Sequence, residues 1–232
     1  MNNINIYDKW ASSYSNKPIN PLMKSEHAII NNMLQTLCLN RTVLDAGCGC
    51  GRVSNLCLAY GASKVHAFDL SCGMVSACKK LNTDSRLEVK KGDLLKVPYE
   101  AEAFDLYVSS LAVGHINNLD LFLSEAHRVL KVRGDLVVSD FHPSRYLAGF
   151  KRGMRSQDTY YELEHFVHSV SEWIKTLQDN NFDLLSIFEG FLDRKYYDFE
   201  LYKDEPDVNN NKEKFDLAFK LPSVWVIHAR KK

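Results

Sequence analysis

A chain of 232 residues, 45% apolar and 25% charged, has the make-up of one ordinary globular domain. Its 29 basic and 29 acidic residues balance, so no global field draws it to polyanions, which argues against a dedicated nucleic-acid binder. No run of about 18 apolar residues occurs and the N-terminus has no signal-peptide pattern, so no membrane span is expected and the cytoplasm is the expected compartment.

The six cysteines, Cys38, Cys48, Cys50, Cys57, Cys72 and Cys78, all fall in the first third. None forms a Cys-x-x-Cys pair or neighbours a histidine at ligand spacing, so no metal site is expected. They read as reduced, small buried hydrophobes. Thiophilic chemistry is the alternative, because Cys48 and Cys50 border a glycine loop.

In chain order, Tyr7, Trp10 and Tyr14 lie among polar residues without core spacing. Asn20-Pro21 looks like a helix start, and Ile30, Met33, Leu34 and Leu37 predict a helix of roughly 22–38. Arg41 to Ala46 is a first strand. It breaks at Gly47-x-Gly49-x-Gly51, and Val53, Leu56, Cys57 and Tyr60 continue on one helical face as far as Gly61. Lys64 to Asp69 is a second strand, ending in an acid. Ser71 caps a helix carrying Met74, Ala77, Cys78 and Leu81. Arg86 to Lys90 is a third strand, followed by Gly92-Asp93, and Phe104 to Ser109 is a fourth. Leu119, Phe122, Leu123, Ala126 and Leu130 mark an amphipathic helix, with Gly134 closing the turn after it. Asp135 to Phe141 is a fifth strand.

This alternation with short connections predicts a parallel sheet covered on both faces. It pauses over His142 to Phe166, which has no clean period and reads as an insertion over the C-terminal edge of the sheet. Ser169-x-x-Glu172 is a capping box for a helix with Val170, Trp173, Ile174 and Leu177. A sixth strand spans about Asp183 to Glu189. Lys195 to Lys220 reads as a loop with a mobile tip, and Ser223 to Arg230 is a last strand.

A dinucleotide fold uses Gly-x-Gly-x-x-Gly, whose third glycine allows close helix packing. Here Arg52 stands at that third place. Asp45, two residues before the loop, is ill suited to a pyrophosphate and suits a positive ammonium group; alternatively it only organises the loop. Asp69 stands where a carboxylate accepts both ribose hydroxyls. It is an acid with no evident partner at the end of an apolar strand. Asp93 stands where an adenine amino group would arrive. Gly51 is open to being only a turn.

These motifs resemble the class I S-adenosylmethionine-dependent methyltransferases. The resemblance rests on Val43-Leu-Asp-Ala-Gly-Cys-Gly-Cys-Gly51, Asp69, Gly92-Asp93-Leu94, Phe104-Asp-Leu-Tyr-Val-Ser109 and Arg128-Val-Leu-Lys-Val-Arg-Gly134, in order over about residues 40–141. Tyr7-Asp-x-x-Ala-x-x-Tyr14 resembles the family's N-terminal segment, which closes over the cofactor. The resemblance implies an α/β, Rossmann-like doubly wound fold. Its seven-stranded, mostly parallel sheet would have strand 7 antiparallel between strands 5 and 6. It implies one domain over 1–232, with a helical N-terminal lid at 1–40 and a cap insertion at 142–167. It further implies that Gly47 and Gly49 contact the methionine portion of S-adenosyl-L-methionine through backbone groups. Asp45 would orient the loop or reach the ammonium, and Tyr14 would reach the carboxylate. Asp69 would bind ribose with Leu70 against adenine, Asp93 and Leu94 would hold adenine, and Ser109, Ser110 and Leu111 would line the floor under the sulfonium.

Ligands of open α/β sheets bind beyond the C-terminal strand ends. His115, His142 and His165 fall in that zone. His115 and His142 are the leading candidates for a general base because both follow strand ends, and Asp140 is placed to orient one of them. Tyr160, Tyr161, Tyr196 and Tyr197 either wall a pocket for a planar acceptor or pack on one another. Arg145, Arg152 and Arg155 either bind an acidic acceptor or form a solvated face. The expected activity is methyl transfer to a small molecule at oxygen, nitrogen or carbon. A tRNA or protein methyltransferase and a catalytically silent cofactor-binding partner are the alternatives.

Overall fold

The computed structural model describes residues 2–156, 159–202 and 208–232, apart from the side chains of 154–156, 159 and 201–202. Two helices, α1 (Asn3–Trp10) and α2 (Pro21–Leu37), precede the alternating core. That core runs β1 (Thr42–Ala46), α3 (Arg52–Ala59), β2 (Lys64–Asp69), α4 (Cys72–Leu81), β3 (Leu87–Lys91), β4 (Phe104–Ser110), α5 (Leu119–Val129) and β5 (Leu130–Phe141). Then come α6 (Pro143–Leu147), a hairpin of β6 (Gly153–Ser156) and β7 (Thr159–Glu162), α7 (Val170–Asp179) and β8 (Phe182–Phe191). The chain continues through α8 (Phe199–Tyr202) and α9 (Lys212–Leu217) to β9 (Pro222–Lys231).

The capping signals act where the sequence places them. The Asn20 side chain accepts from Met23 N at 2.8 Å, Ser71 Oγ from Met74 N at 3.0 Å and Ser169 Oγ from Glu172 N at 3.1 Å. Each satisfies a backbone donor that the first helical turn leaves without a partner. Glu172 does not complete the capping box; its carboxylate lies 2.9 Å from His168 Nδ1 instead.

Seven strands form one sheet in the order β3-β2-β1-β4-β5-β9-β8, parallel from β3 to β5 and antiparallel across β5-β9-β8. Successive strand residues point to opposite faces. Leu44, Tyr107 and Val138 therefore pack with Phe122 and Trp173 on one side. Val43, Leu106 and Val137 pack with Ile30 and Leu34 of α2 on the other. Both faces are covered, which is why these strands read as near-continuous apolar runs.

At the end of the sheet away from the glycine loop, Asp135 is fully buried and accepts from Arg41 (2.6 Å), His228 (2.9 Å) and Arg230 (2.8 Å). Burial alone would raise its pKa. The bonds from His228, Arg41 and Arg230 instead hold the carboxyl well below the usual range. This cluster fastens the start of β1 to β5 and β9.

Three expectations change. The fifth strand begins at Leu130, because the turn expected at Gly134 is absorbed within β5; Arg133 takes φ 66° and the β4–β5 register shifts between Phe104 and Leu106. The aperiodic 142–166 stretch contains α6 and the β6–β7 hairpin. The stretch expected to be a loop with a mobile tip at 195–220 contains α8 and α9, while its residues 203–207 lie outside the described residues. Among the described residues, no helix is long and apolar enough to cross a membrane.

Candidate cofactor pocket and active site

The glycine loop is hung from the end of β2. Gly47 N and Cys48 N donate to Phe68 O at 2.9 and 3.0 Å, and Gly51 N donates to Cys48 O at 2.9 Å. Gly47 and Gly49 take φ +74° and +52°, in the left-handed region that favours glycine. A Cβ at Gly47 would also lie 2.7 Å from Ala112 Cβ.

Asp69 holds this loop from the next strand end. Its Oδ2 accepts from Gly49 N and its Oδ1 from Ser71 N, both at 2.9 Å. Asp69 is therefore not the unpartnered acid that the sequence suggests. Each oxygen keeps a further lone pair for a ligand. Burial pushes its carboxyl up against the pull of those two bonds.

Four of the loop amides are thus used within the protein, one of them by a carboxylate. A pyrophosphate would meet few free donors and a negative charge here, the reverse of a phosphate cradle. Asp45 points the same way. It is buried, its Oδ2 accepts from Ser54 Oγ at 2.6 Å, and burial pushes its pKa up to about 6.

A cavity of about 170 Å³ opens above the loop. Tyr14, Asp45, Gly47, Gly49, Asp69, Leu70, Asp93 and Leu94 all line it. Leu70 is 39% exposed there, an apolar surface offered to a ligand. Asp93 Oδ1 accepts from Leu95 N at 2.9 Å, which fixes the turn after β3. Tyr14 is braced edge-on by Trp10, with ring centroids 4.5 Å apart, and lies 3.9 Å from where a Gly49 Cβ would be. Ser109 is off this wall. It is fully buried, and by the alternation along β4 its neighbour Ser110 lines the cavity instead. Acids at two strand ends, a glycine cradle in left-handed backbone with no room for a side chain at Gly47, and an exposed leucine fit a cationic nucleoside.

The donor end is roofed by α1. Asp8 Oδ1 accepts from Ser71 Oγ at 2.5 Å and from Gly73 N at 2.8 Å at the start of α4. At the start of the helix, Asn3 Nδ2 lies 3.0 Å from His115 Nδ1, and beside Asp8 in the chain Tyr7 Oη lies 2.9 Å from His115 Nε2. His115 lines the cavity, with both ring nitrogens engaged by α1. Burial, then the Arg152 charge, pushes its pKa down to about 3, so the ring is neutral at physiological pH.

His142 does not line this cavity. It is the N-cap of α6, with Nδ1 accepting from Ser144 N at 3.1 Å and Nε2 lying 3.1 Å from Glu189 Oε1. His165 packs edge-on against Phe141 at 5.7 Å. Asp140 orients neither leading histidine by a direct bond. It accepts from Gly114 N (2.5 Å), Phe141 N (2.6 Å) and Arg152 Nη1 (3.0 Å). Burial opposes its ionisation, but Arg152 foremost holds the carboxyl below its usual range.

The arginines are not a solvated face. Arg145 is 7% exposed, donates to Ala218 O and stacks 4.1 Å from the Phe150 ring centroid. Arg152 is held by Asp140 and by Leu111 O and lines the cavity. The Arg155 side chain lies outside the described residues. Of the four tyrosines, Tyr160 and Tyr197 share a second cavity, Tyr161 packs against Ile6 and Leu163, and Tyr196 is exposed.

Sequence reasoning missed a network beneath the pocket. Glu26 of α2 is fully buried and accepts from Arg52 Nη2 (2.8 Å), Ser110 Oγ (2.6 Å) and Ser139 Oγ (2.8 Å). The signal was present, since Glu26 stands four residues before Ile30 on the apolar face of α2. Arg52, at the third-glycine place, thereby ties the loop to α2 and β4. Tyr7 and Asp8 fall in the N-terminal motif that the sequence shows, whereas Asn3 carried no such signal.

Residues 44–138 match the family model described as a methyltransferase domain. Among curated relatives, a malonyl-[acyl-carrier protein] O-methyltransferase of a Methylovorus species is 31% identical over 142 residues, 57% of this chain and 48% of that protein, so the chain spans about half of that relative's length. An uncharacterized Haemophilus influenzae protein is 31% identical over 181 residues, 72% of this chain and 71% of that one. The crystal structure of an S-adenosylmethionine-dependent methyltransferase from Mesorhizobium loti has the same fold, with a TM-score of 0.67 and 20% identity over 90% of this chain and all of that one. The domain match, the sheet order and the acid-lined glycine loop agree: residues 44–138 are a methyltransferase domain, and the chain has the fold of the class I S-adenosylmethionine-dependent methyltransferases.

Proposed function

We propose that this protein transfers a methyl group from S-adenosyl-L-methionine to a small-molecule acceptor. The observation that carries the reading is the glycine loop whose amides are taken by Phe68 O and the Asp69 carboxylate, in a cavity lined by three acids. The O-methyltransferase named among the relatives supports it. When bound, the cofactor supplies an already activated methyl on a cationic sulfur.

The protein's residues position and desolvate. Gly47 and Gly49 let the methionine portion approach the backbone. Asp45 faces its ammonium, and Tyr14 its carboxylate. Asp69 takes the ribose hydroxyls, and Leu70, Asp93 and Leu94 hold adenine. On this reading, Ser110 and Leu111 replace Ser109 as the floor. His115, neutral and bonded twice to α1, acts as a positioning residue that closes the lid of residues 1–40 and not as a strong base. Holding reactants together in a dry site supplies most of the acceleration that such a displacement needs. Residues 142–167 form the cap of a single catalytic domain, acting in the cytoplasm without a membrane or nucleic-acid partner.

Two measurements test this. Isothermal titration should show S-adenosyl-L-homocysteine binding. Methyl-labelled cofactor, incubated with a metabolite extract, a tRNA fraction and a protein fraction, should label the metabolites. Labelling confined to the macromolecular fractions would replace the small-molecule reading. Binding with no label anywhere would leave a silent binding protein.

A further inference from the structure

A second cavity, of about 290 Å³, adjoins the cofactor pocket, and Arg152 is the residue that lines both. Its wall is aromatic: Phe141, Phe150, Tyr160, Tyr197, Phe215 and Phe219 all contribute. Arg145 and Lys151 join Arg152 on the lining, and no carboxylate does so among the described residues. From the geometry we infer that this cavity is the acceptor subsite, and that it takes an aromatic carboxylate whose anionic end faces Arg152. The inference rests on the methyltransferase reading, since it assigns that reaction its acceptor.

Three observations converge. First, the cavity is built and not a surface dent. Phe150 is 1% exposed, while Phe141 and Arg145 are each 7% exposed. Flat rings at such walls favour a planar apolar body.

Second, the charge on the lining is one-sided. The rings already carry the chain's own cations, with Arg145 4.1 Å and Lys214 5.3 Å from the Phe150 centroid and Arg194 4.7 Å from that of Phe219. A cationic ligand would meet like charge on the faces that would otherwise attract it. An anion would meet a guanidinium held in a fixed orientation by Asp140 and Leu111 O, which is the geometry that recognises carboxylates.

Third, the junction lacks a ready base. His115 is neutral with both nitrogens occupied, and His142 caps α6 outside the cofactor cavity. A carboxylate arrives ionised and requires no proton to be removed, unlike a phenol or an ammonium group.

The test uses the full chain and two probes of matched shape, naphthoate and naphthamide, titrated in the presence of S-adenosyl-L-homocysteine. Naphthoate should bind about tenfold or more tightly than the amide, a preference of about 1.4 kcal/mol. Leu192→Trp fills the cavity from a buried wall position, and Tyr197→Ala removes an aromatic face from a half-buried one. Each should weaken naphthoate by at least about threefold, while S-adenosyl-L-homocysteine binds as before. Equal affinities for acid and amide would overturn the inference, as would naphthoate binding indifferent to both substitutions. Failure of the wild-type protein to bind S-adenosyl-L-homocysteine would instead remove the cofactor reading itself, so the two failures are separable.

Discussion

The two cavities on either side of Arg152 are made by opposite means. The cofactor pocket is framed by backbone turns, which follow the ends of β1, β2 and β3 and carry a glycine or an acid at fixed offsets. The neighbouring cavity is made of side chains from α2, α6, the β6–β7 hairpin, the end of β8 and the α9 region, which are far apart in the chain. A backbone pocket has one shape and suits a ligand that never changes. A side-chain pocket can be rebuilt residue by residue and suits an acceptor that differs between relatives. Invariant chemistry is placed on the regular scaffold and selectivity on the additions to it.

That contrast is most exposed to attack at Asp69. Asp69→Ala removes the acceptor for Gly49 N and Ser71 N as well as the proposed ribose contact. S-adenosyl-L-homocysteine affinity should then fall by about 3 kcal/mol, measured by titration calorimetry, because charge-assisted bonds are among the stronger ones. Affinity unchanged by this substitution would mean that the loop does not hold the cofactor.

A smaller effect sharpens the role of Asp45. Burial raises its pKa to about 6, so it is protonated below that pH and ionised above it. A cationic ammonium favours the ionised form, so cofactor affinity should increase as pH rises through about 6, by up to ~10-fold between about pH 5 and 7, with a proton released on binding. The unliganded protein should respond in the opposite sense. A carboxyl whose folded pKa is raised keeps its proton longer than in the unfolded chain, so its contribution to stability declines as pH rises from about 4 to 6. A flat binding profile would restrict Asp45 to its bond with Ser54.

The smallest effect concerns the roof. Tyr7→Phe removes one bond from α1 to His115 and should cost about 1 kcal/mol. It should appear mainly as faster release of S-adenosyl-L-homocysteine in stopped-flow fluorescence, with little change in melting temperature. Identical release rates would mean that α1 is a fixed wall and not a lid.

The same division explains what could be read from the chain. The strand–turn–helix units were legible because each is set by local signals: a run of buried residues, a glycine, a capping Ser or Asn. Lys64–Asp69 and its sequel capped by Ser71 are examples. The capping region was legible as an insertion, but the elements within it were not. β6 and β7 carry Arg, Tyr, Thr and Ser, without the apolar alternation that marks a half-buried strand. α1 was expected only as part of a helical lid, and its packing face of Ile6, Tyr7 and Trp10 against the hairpin and α4 is a surface the sequence does not announce. Of the three residues expected at the floor, Ser110 and Leu111 line the cavity and Ser109 alone does not. The end of a strand is easy to locate, but a one-residue error moves the side chain to the opposite face. Arg145 and Arg152 stayed open between two readings for another reason, since burial of a guanidinium depends on partners such as Phe150 and Asp140 that only the fold brings near.

β9 sits between β5 and β8, yet it is made after both. During synthesis, β5 therefore waits with one open edge, and Asp135 waits for His228 and Arg230, until residues 222–231 arrive. The parallel half of the sheet, with its glycine loop, is complete long before that. Assembly on the ribosome should accordingly proceed in two stages, with the cofactor half able to form first and the last strand closing the gap by insertion. The exposed edge of β5 in the interval is the place where a slowly finished chain is most open to pairing with another.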